Sequence, residues 1–142
     1  MTPAQLPQWY LDAPHGLDHR LGLVVSELTA QRVVGSLPVA GNTQPFGLFH
    51  GGASATLIEA LGSLGALAHA YPERVAVGVD LNVTHLAPAR EGRVTGVATA
   101  VRLGGRTAVY QVQLCDDDAQ VTAVGRLTCQ LIAPPQATSS GG

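Results

Sequence analysis

The feature that most constrains this fold is one long helical segment set among six β-rich runs. Residues 52–70 place apolar side chains at helical spacing. Runs of β-branched residues bounded by turn signals predict strands on both sides of that helix. The six predicted strands cover residues 21–29, 32–39, 75–86, 93–103, 106–115 and 120–132. The expected element order is therefore β-β-α-β-β-β-β.

The connections between the last four predicted strands indicate how the sheet is arranged. Short turn signals at 90–92, 104–105 and 116–118 separate them. Short turns favour antiparallel pairing, because parallel neighbours need long crossover connections. One helix covers a long sheet only if the sheet curves around it. We therefore expect an α+β fold in which a curved antiparallel sheet wraps around one long central helix.

The length of 142 residues predicts a single domain, which we expect to span residues 21–133. A proline-punctuated N-terminal extension, residues 1–20, precedes it, and Trp9 and Tyr10 are expected to anchor this extension to the domain. Residues 134–142 form a polar tail that ends in serine and glycine, and this composition predicts disorder.

The composition excludes several classes of protein. Hydrophobic residues make up 46% and charged residues 13% of the chain, the reverse of the balance in disordered proteins. A net charge of −2 without a basic run argues against a nucleic-acid partner. No signal peptide or membrane span is apparent, and Cys115 and Cys129 are interpreted as buried thiols in a reducing cytoplasm. A surface so short of charge also predicts contact with another subunit.

The predicted helix carries a lone carboxylate, Glu59, among small residues. On a wheel of about 100° per residue, the side opposite Glu59 is expected to form the core stripe. That stripe comprises Leu57, Leu61, Leu64 and Ala68, and the residues near Glu59 are Gly52, Ala55, Thr56, Gly62, Ser63 and Ala66. Glycine inside a helix costs about 1 kcal/mol relative to alanine, so close approach of a second helix or a ligand is expected there. Glu59 is thus either a working carboxylate beside a groove or a solvent-facing glutamate.

The residues immediately before the helix suggest an oxyanion site. His50 is followed by Gly51 and Gly52, and glycines let a ligand approach the backbone. The free N–H groups of a helix N-terminus favour a negatively charged oxygen, as acyl transfer requires. The alternative is a tight turn into the helix, with His50 as a hydrogen-bonded buried imidazole.

The spacing between these two features predicts an oligomer. Gly51 and Glu59 are eight residues apart, which is about 12 Å along one helix at 1.5 Å per residue. One substrate carbonyl cannot touch both within a single helix. If both act on one substrate, Glu59 must come from the other subunit of a two-fold dimer with two equivalent sites.

These motifs resemble those of the hotdog-fold acyl-CoA thioesterases. The resemblance covers about residues 21–132 and is closest to the branch that contains phenylacetyl-CoA, Arthrobacter-type 4-hydroxybenzoyl-CoA and enterobactin-pathway proofreading thioesterases. Glu59 places the chain nearer the last two groups, because phenylacetyl-CoA members typically carry aspartate there. The matching segments are Gln44-Pro45-Phe46-Gly47, His50-Gly51-Gly52-Ala53-Ser54, Glu59, Leu61-Gly62-Ser63, 78–85 and 92–94.

The resemblance implies a role for each matching residue. Glu59 is expected to be the catalytic carboxylate, either as nucleophile or as general base. Gly51 is expected to donate its N–H to the thioester oxygen, with His50 and Gln44 supporting the acyl group, and Ser63 is expected to position the hydrolytic water. The residues expected to contact substrate are Gly52, Gly62, Asn82 and His85.

The function implied is hydrolysis of an acyl-CoA thioester, with an aryl acyl group as one possibility, to free acid and coenzyme A. Family members are usually homotetramers built as dimers of dimers, and they need no metal or cofactor beyond the coenzyme A of the substrate. A non-catalytic acyl-CoA-binding domain is the alternative, and a hotdog dehydratase is a weaker one. His15, His19, His50, His69 and His85 show no helical pair at metal-ligand spacing.

Overall fold

The computed structural model describes residues 5–14 and 16–136. The first four residues of the predicted extension, His15, and residues 137–142 of the predicted tail lie outside the described residues. The elements are α1 (Gln8–Leu11), α2 (Leu17–Leu21), β1 (Val24–Leu28), β2 (Arg32–Pro38), α3 (Gly51–Ala70), β3 (Val75–His85), β4 (Arg93–Leu103), β5 (Thr107–Cys115) and β6 (Val121–Ile132). The six strands and the long helix agree with the sequence prediction to within a few residues at each end.

The sheet is a single antiparallel layer of six strands in the order β1-β2-β4-β5-β6-β3. Register shifts interrupt β1, β3, β4 and the β5–β6 pairing, and such irregularities bend strands and increase their twist. The curved sheet packs on α3, which contacts all six strands. The fold class predicted from the sequence, a curved sheet wrapped around one central helix, is confirmed.

One predicted pairing is wrong: β3 and β4 do not form a hairpin. β3 pairs instead with β6 at the edge of the sheet, whereas β4 lies between β2 and β5. The connecting segment is held away from a hairpin turn, because the N–H groups of Leu86 and Ala87 donate to Thr122 O and the N–H of Phe49 donates to Ala89 O. It therefore crosses from the edge strand to the middle of the sheet.

The predicted core stripe of α3 is rotated in the structure. Leu57 and Leu61 are buried as expected, but Leu64 and Ala68 are only partly buried. The remaining sheet-facing positions are filled by other residues of the helix, namely Ile58, Gly62, Gly65 and Ala66.

The two helix glycines explain this rotation. A Cβ on Gly62 would lie 2.7 Å from Leu127 Cδ2, and a Cβ on Gly65 would lie 2.6 Å from the ring of Tyr110. The groups packed against these glycines are therefore side chains of β6 and β5. The second helix or ligand expected from the sequence does not occupy that side.

The N-terminal extension contains two short helices that the sequence analysis did not predict. It is anchored as expected, because Trp9 and Tyr10 pack against the core and the Trp9 ring lies 5.8 Å from the ring of Tyr71. The N–H of Leu23 donates to Asp18 O and ties α2 to the start of β1. Within the described residues, no helix is long and apolar enough to cross a membrane.

Candidate active site

The start of α3 presents a backbone N–H that the protein leaves free. His50 caps the helix, and its Nδ1 accepts a hydrogen bond from the N–H of Gly52 at 2.8 Å. The His50 carbonyl accepts from the N–H groups of Ala53 and Ser54. No acceptor among the described residues takes the N–H of Gly51. This donor lies at the positive end of a 20-residue helix, where a developing oxyanion is stabilised.

The ring of His85 lies directly over Gly51. His85 ends β3, and a Cβ placed on Gly51 would be 3.1 Å from its Nε2 and Cε1 atoms. A side chain at Gly51 would therefore crowd the imidazole, which would have to move by a few tenths of an ångström. Glycine at this position lets His85 and the free N–H face the same space.

Gln44 belongs to a loop that the protein holds rigid. Its side-chain oxygen accepts from the N–H groups of Phe46 and Leu48. The buried Asn42 anchors the same loop, because its Nδ2 donates to Leu21 O at 2.7 Å and to Pro38 O at 2.9 Å. With its oxygen engaged, Gln44 retains the amide nitrogen as a donor toward a ligand.

Glu59 projects from α3 at the margin of the sheet and rests against the edge strand β3. Its side chain is exposed, and its Oε1 is 2.7 Å from the place that a Cβ on Gly78 would occupy. Gly78 thus makes room for the carboxylate. The sequence motif contains Gly78, but its contact with Glu59 depends on the packing of β3 beside the helix, which no local pattern predicts.

Ser63 and Cys129 are the polar residues that lie beside Glu59. The Ser63 hydroxyl lies near the fully buried Cys129 thiol. Burial raises the pKa of Cys129 to about 11, the Ser63 hydroxyl lowers it, and the Glu59 charge raises it. Cys129 is therefore a neutral thiol at physiological pH, in agreement with the buried thiol predicted from the sequence, and Ser63 lies one helical turn from Glu59.

A second carboxylate approaches the site from the N-terminal extension. Burial and, to a smaller extent, the charge of Glu59 raise the pKa of Asp18. Burial and then the charge of Asp18 raise the pKa of Tyr10. The sequence analysis missed Asp18, because no local pattern links it to a helix that begins more than 30 residues later.

Most of the site residues predicted from the sequence fall into two groups. His50, Gly51 and His85 meet at the start of α3, whereas Glu59 and Ser63 lie together about 12 Å farther along the helix. Gly52 belongs to the first of these groups, and Gln44 lies in the loop that precedes α3. Two predicted contacts lie outside both groups. Gly62 faces Leu127 on the sheet side, and Asn82 is exposed on β3, where it pairs with Arg126.

The edge strand beside Glu59 is long and uncovered. β3 has 11 residues, and the four from Val77 to Asp80 are exposed on both faces. Val77 is 40% and Val79 is 58% exposed, so apolar side chains face outward where the strand has a free hydrogen-bonding edge. Such an edge is a template for pairing with another chain.

A hotdog sheet wrapped around one helix, with a helix carboxylate and a free helix N-terminus, is the arrangement of a thioester hydrolase. The sequence pattern of the thioesterase superfamily matches residues 46–123, and the chain belongs to that family. It is a thioesterase, and the enzymes of this family act on coenzyme A thioesters.

Three relatives illustrate the similarity. A Pseudomonas aeruginosa thioesterase, solved as a glutamine-to-alanine variant, superposes with a TM-score of 0.84 at 33% identity over 92% of this chain and 98% of that one. The 1,4-dihydroxy-2-naphthoyl-CoA hydrolase of Escherichia coli is 40% identical over 98 residues, which are 68% of this chain and 72% of that protein. A Staphylococcus aureus protein, solved as a glutamate-to-alanine variant, has a TM-score of 0.81 at 30% identity over 84% of this chain and 100% of that one.

Proposed function

We propose that the protein hydrolyses an aryl acyl-CoA thioester to the free acid and coenzyme A, with Glu59 as the catalytic carboxylate. The observation that carries this proposal is the exposed Glu59 side chain, which rests on Gly78 with Ser63 one turn away. The name of the Escherichia coli relative supports an aryl acyl group. The Staphylococcus aureus relative was also solved as a glutamine variant, and its two altered residues are fifteen positions apart, as Gln44 and Glu59 are here.

The chemistry follows from the groups at the two ends of the site. The thioester oxygen accepts a hydrogen bond from the N–H of Gly51, which makes the carbonyl carbon more electrophilic. Glu59 then either attacks that carbon to form a mixed anhydride or removes a proton from an attacking water. In both routes the thiolate of coenzyme A leaves and is protonated, and water supplies the hydroxyl of the acid. No metal or further cofactor takes part.

The other site residues support these two steps. His50 and the amide of Gln44 orient the acyl group, and Gly52 and His85 border the thioester beside Gly51. Ser63 holds the hydrolytic water near Glu59. Asn82, exposed on β3, contacts the substrate from the edge of the sheet.

We infer that each site is shared between two subunits. Gly51 and Glu59 lie about 12 Å apart along one helix, too far for one carbonyl to meet both. The uncovered edge of β3 lies beside Glu59 and supports a two-fold dimer that unites Glu59 with Gly51 of the partner subunit. A dimer of dimers, as the family resemblance implies, is the corresponding assembly.

Release of coenzyme A thiol tests the catalytic role of Glu59. Phenylacetyl-, hydroxybenzoyl- and straight-chain acyl-CoA are offered to the wild type and to Glu59→Gln. We expect kcat to fall by at least about 10³-fold in the variant, because the amide can neither attack nor accept the proton. Glu73→Gln, the same change at an exposed residue after α3, is the matched control and retains activity.

Near wild-type turnover by Glu59→Gln would contradict the catalytic assignment. If the wild type binds these ligands but hydrolyses none of them, the non-catalytic acyl-CoA-binding alternative is favoured instead.

Mixing two inactive variants tests the shared site. Gly51→Pro removes the N–H donor, and Glu59→Ala removes the carboxylate. A hybrid dimer contains one site with both groups intact, so random exchange restores about a quarter of wild-type activity. A mixture that stays inactive, although mass spectrometry shows hybrids and circular dichroism shows folded protein, would rule out the shared geometry.

A further inference from the structure

A cavity of about 740 Å³ lies between the N-terminal extension and the C-terminal half of α3. Its walls are mostly apolar, and its size suits a small organic group. On the extension the lining includes Trp9, Tyr10, Leu17 and Asp18, and on the helix it includes Leu64 and Leu67. None of these residues received a role in the catalytic steps above.

The aromatic side chains in the cavity wall favour a flat ligand. Trp9, Tyr10 and Tyr71 all line the cavity, and their rings already form two edge or tilted contacts with one another. An aryl group inserted among such rings gains stacking or edge-to-face contacts in addition to burial of its apolar area. The wall is thus suited to an aromatic ligand.

The cavity lies beyond the Glu59 carboxylate along α3, where Leu64 and Leu67 of the helix line it. Glu59, Ser63 and Leu67 are spaced four residues apart, so their side chains project from the same face of the helix. Leu64 lies about 8 Å beyond Glu59 along the axis. A one- or two-ring acyl group spans that distance when its carbonyl carbon is at Glu59.

Asp18 is the one carboxylate in the described lining of this cavity. It is half-buried, and among the described residues no group hydrogen-bonds its side-chain oxygens. Burial and the charge of Glu59 raise the pKa of Asp18, which means that the folded protein disfavours its charged form. A hydrogen-bond donor beside the carboxylate would reduce this free-energy cost. A ligand carboxylate there would face two like charges.

We propose that this cavity is the acyl pocket and that Asp18 selects aryl acyl groups bearing a hydroxyl over unsubstituted or carboxylated ones. The hydroxyl donates to the Asp18 carboxylate while the ring packs between the aromatic wall and Leu67. An ammonium group would lose more hydration on entering the same apolar wall, so the uncharged donor is preferred. This assignment rests on the proposed function, since it places the thioester carbon at Glu59.

Binding of non-hydrolysable thioethers tests the selection without any turnover. Titration calorimetry compares S-(3-hydroxybenzyl)- and S-(4-hydroxybenzyl)-CoA with the corresponding methylbenzyl and carboxybenzyl compounds. We expect one hydroxybenzyl isomer to bind about tenfold more tightly than its methyl counterpart in the wild type, as one charged hydrogen bond provides. Equal affinities for every hydroxyl and methyl pair would overturn the proposal.

Substitution of Asp18 assigns the preference to this residue. Asp18→Ala should lose the roughly tenfold hydroxyl preference, and Asp18→Asn should restore part of the affinity for the carboxybenzyl compounds. Asp12→Asn is the matched control, because Asp12 belongs to the same extension but does not line the cavity. If Asp18→Ala keeps the preference for hydroxybenzyl compounds, or if Asp12→Asn loses it, Asp18 is not the residue that selects the hydroxyl group.

A cavity-filling variant tests the location of the ring. Leu67→Trp should weaken binding of all the benzyl thioethers by about tenfold, while the affinity for coenzyme A alone stays at the wild-type value. Unchanged affinity for the benzyl compounds would place the ring outside this cavity. These outcomes are independent of catalysis: if Glu59→Gln turns over thioesters normally, the catalytic role proposed for Glu59 fails, but the calorimetry still shows whether Asp18 selects hydroxyl-bearing ligands.

Discussion

The two faces of α3 differ in how closely they are packed and in whether they carry a charge. On the sheet side, the side chains of Leu127 and Tyr110 pack directly against Gly62 and Gly65. These contacts leave no room for a Cβ atom on either glycine. On the outer face, Glu59 remains exposed and rests on Gly78. One helix therefore combines a fully packed surface with an exposed carboxylate at the margin of the sheet.

This contrast shows that a stripe of small residues does not by itself reveal what approaches it. Both glycines lower helix propensity, and the sequence alone allowed a ligand, a second helix or a side chain as compensation. The structure assigns them to side chains of the sheet. Stability and catalysis should consequently be separable by substitutions on the two faces.

The largest effect on stability is expected on the sheet side, from Gly65→Ala. Helix propensity alone predicts a gain of about 1 kcal/mol. The new methyl would lie 2.6 Å from the Tyr110 ring, however, so we expect a net loss of about 1–3 kcal/mol in the free energy of unfolding, measured by urea denaturation.

Two control variants sharpen this prediction. Gly105→Ala adds the same methyl where nothing lies within 4 Å, and Glu59→Gln changes the exposed face. Both should stay within about 0.5 kcal/mol of the wild type. If Gly65→Ala is as stable as the wild type, the two faces do not differ in packing as described.

A smaller loss is expected from Tyr110→Phe. The Tyr110 hydroxyl is buried and donates to Ala30 O at 2.5 Å, and burial raises the pKa of this phenol. Removing the hydroxyl leaves that carbonyl without this donor, so we expect the free energy of unfolding to fall by about 1–2 kcal/mol. Thioesterase kcat measured below the melting transition should stay at the wild-type value. A change in kcat without a change in stability would contradict the separation of the two faces.

The smallest effect is expected from Asp18→Asn, and its sign depends on pH. Because the folded protein raises the pKa of Asp18, the charged form is disfavoured by folding, and Asp18 lowers stability above that raised pKa. The cost disappears below the unfolded value of about 3.9. The variant should therefore melt slightly higher than the wild type at pH 7 and at the same temperature near pH 3. A variant that is less stable at pH 7 would show that Asp18 has a favourable partner in the folded protein.

Local patterns predicted most of the fold. The helix and all six strands follow from periodicity and turn residues. The lone carboxylate among small residues and the glycine pair before the helix singled out Glu59 and Gly51, and the resemblance to thioesterases then implied their roles. The pairing of β3 with β6 could not be predicted, because a short connection such as 86–92 suits a hairpin equally well until its hydrogen bonds are known. Asp18 and its cavity were missed for a related reason. They arise from contacts between the extension and α3, which no sequence period encodes.

The pairing of β3 with β6 also has a consequence for the order of events during biosynthesis. β3 ends at His85, but the strand that supports it begins at Val121 and extends to Ile132. Until β6 has left the ribosome, β3 has no neighbour in the sheet, and the edge proposed to bind a second subunit is not yet formed. Pairing of two subunits through this edge therefore becomes possible only after each subunit has closed its own sheet.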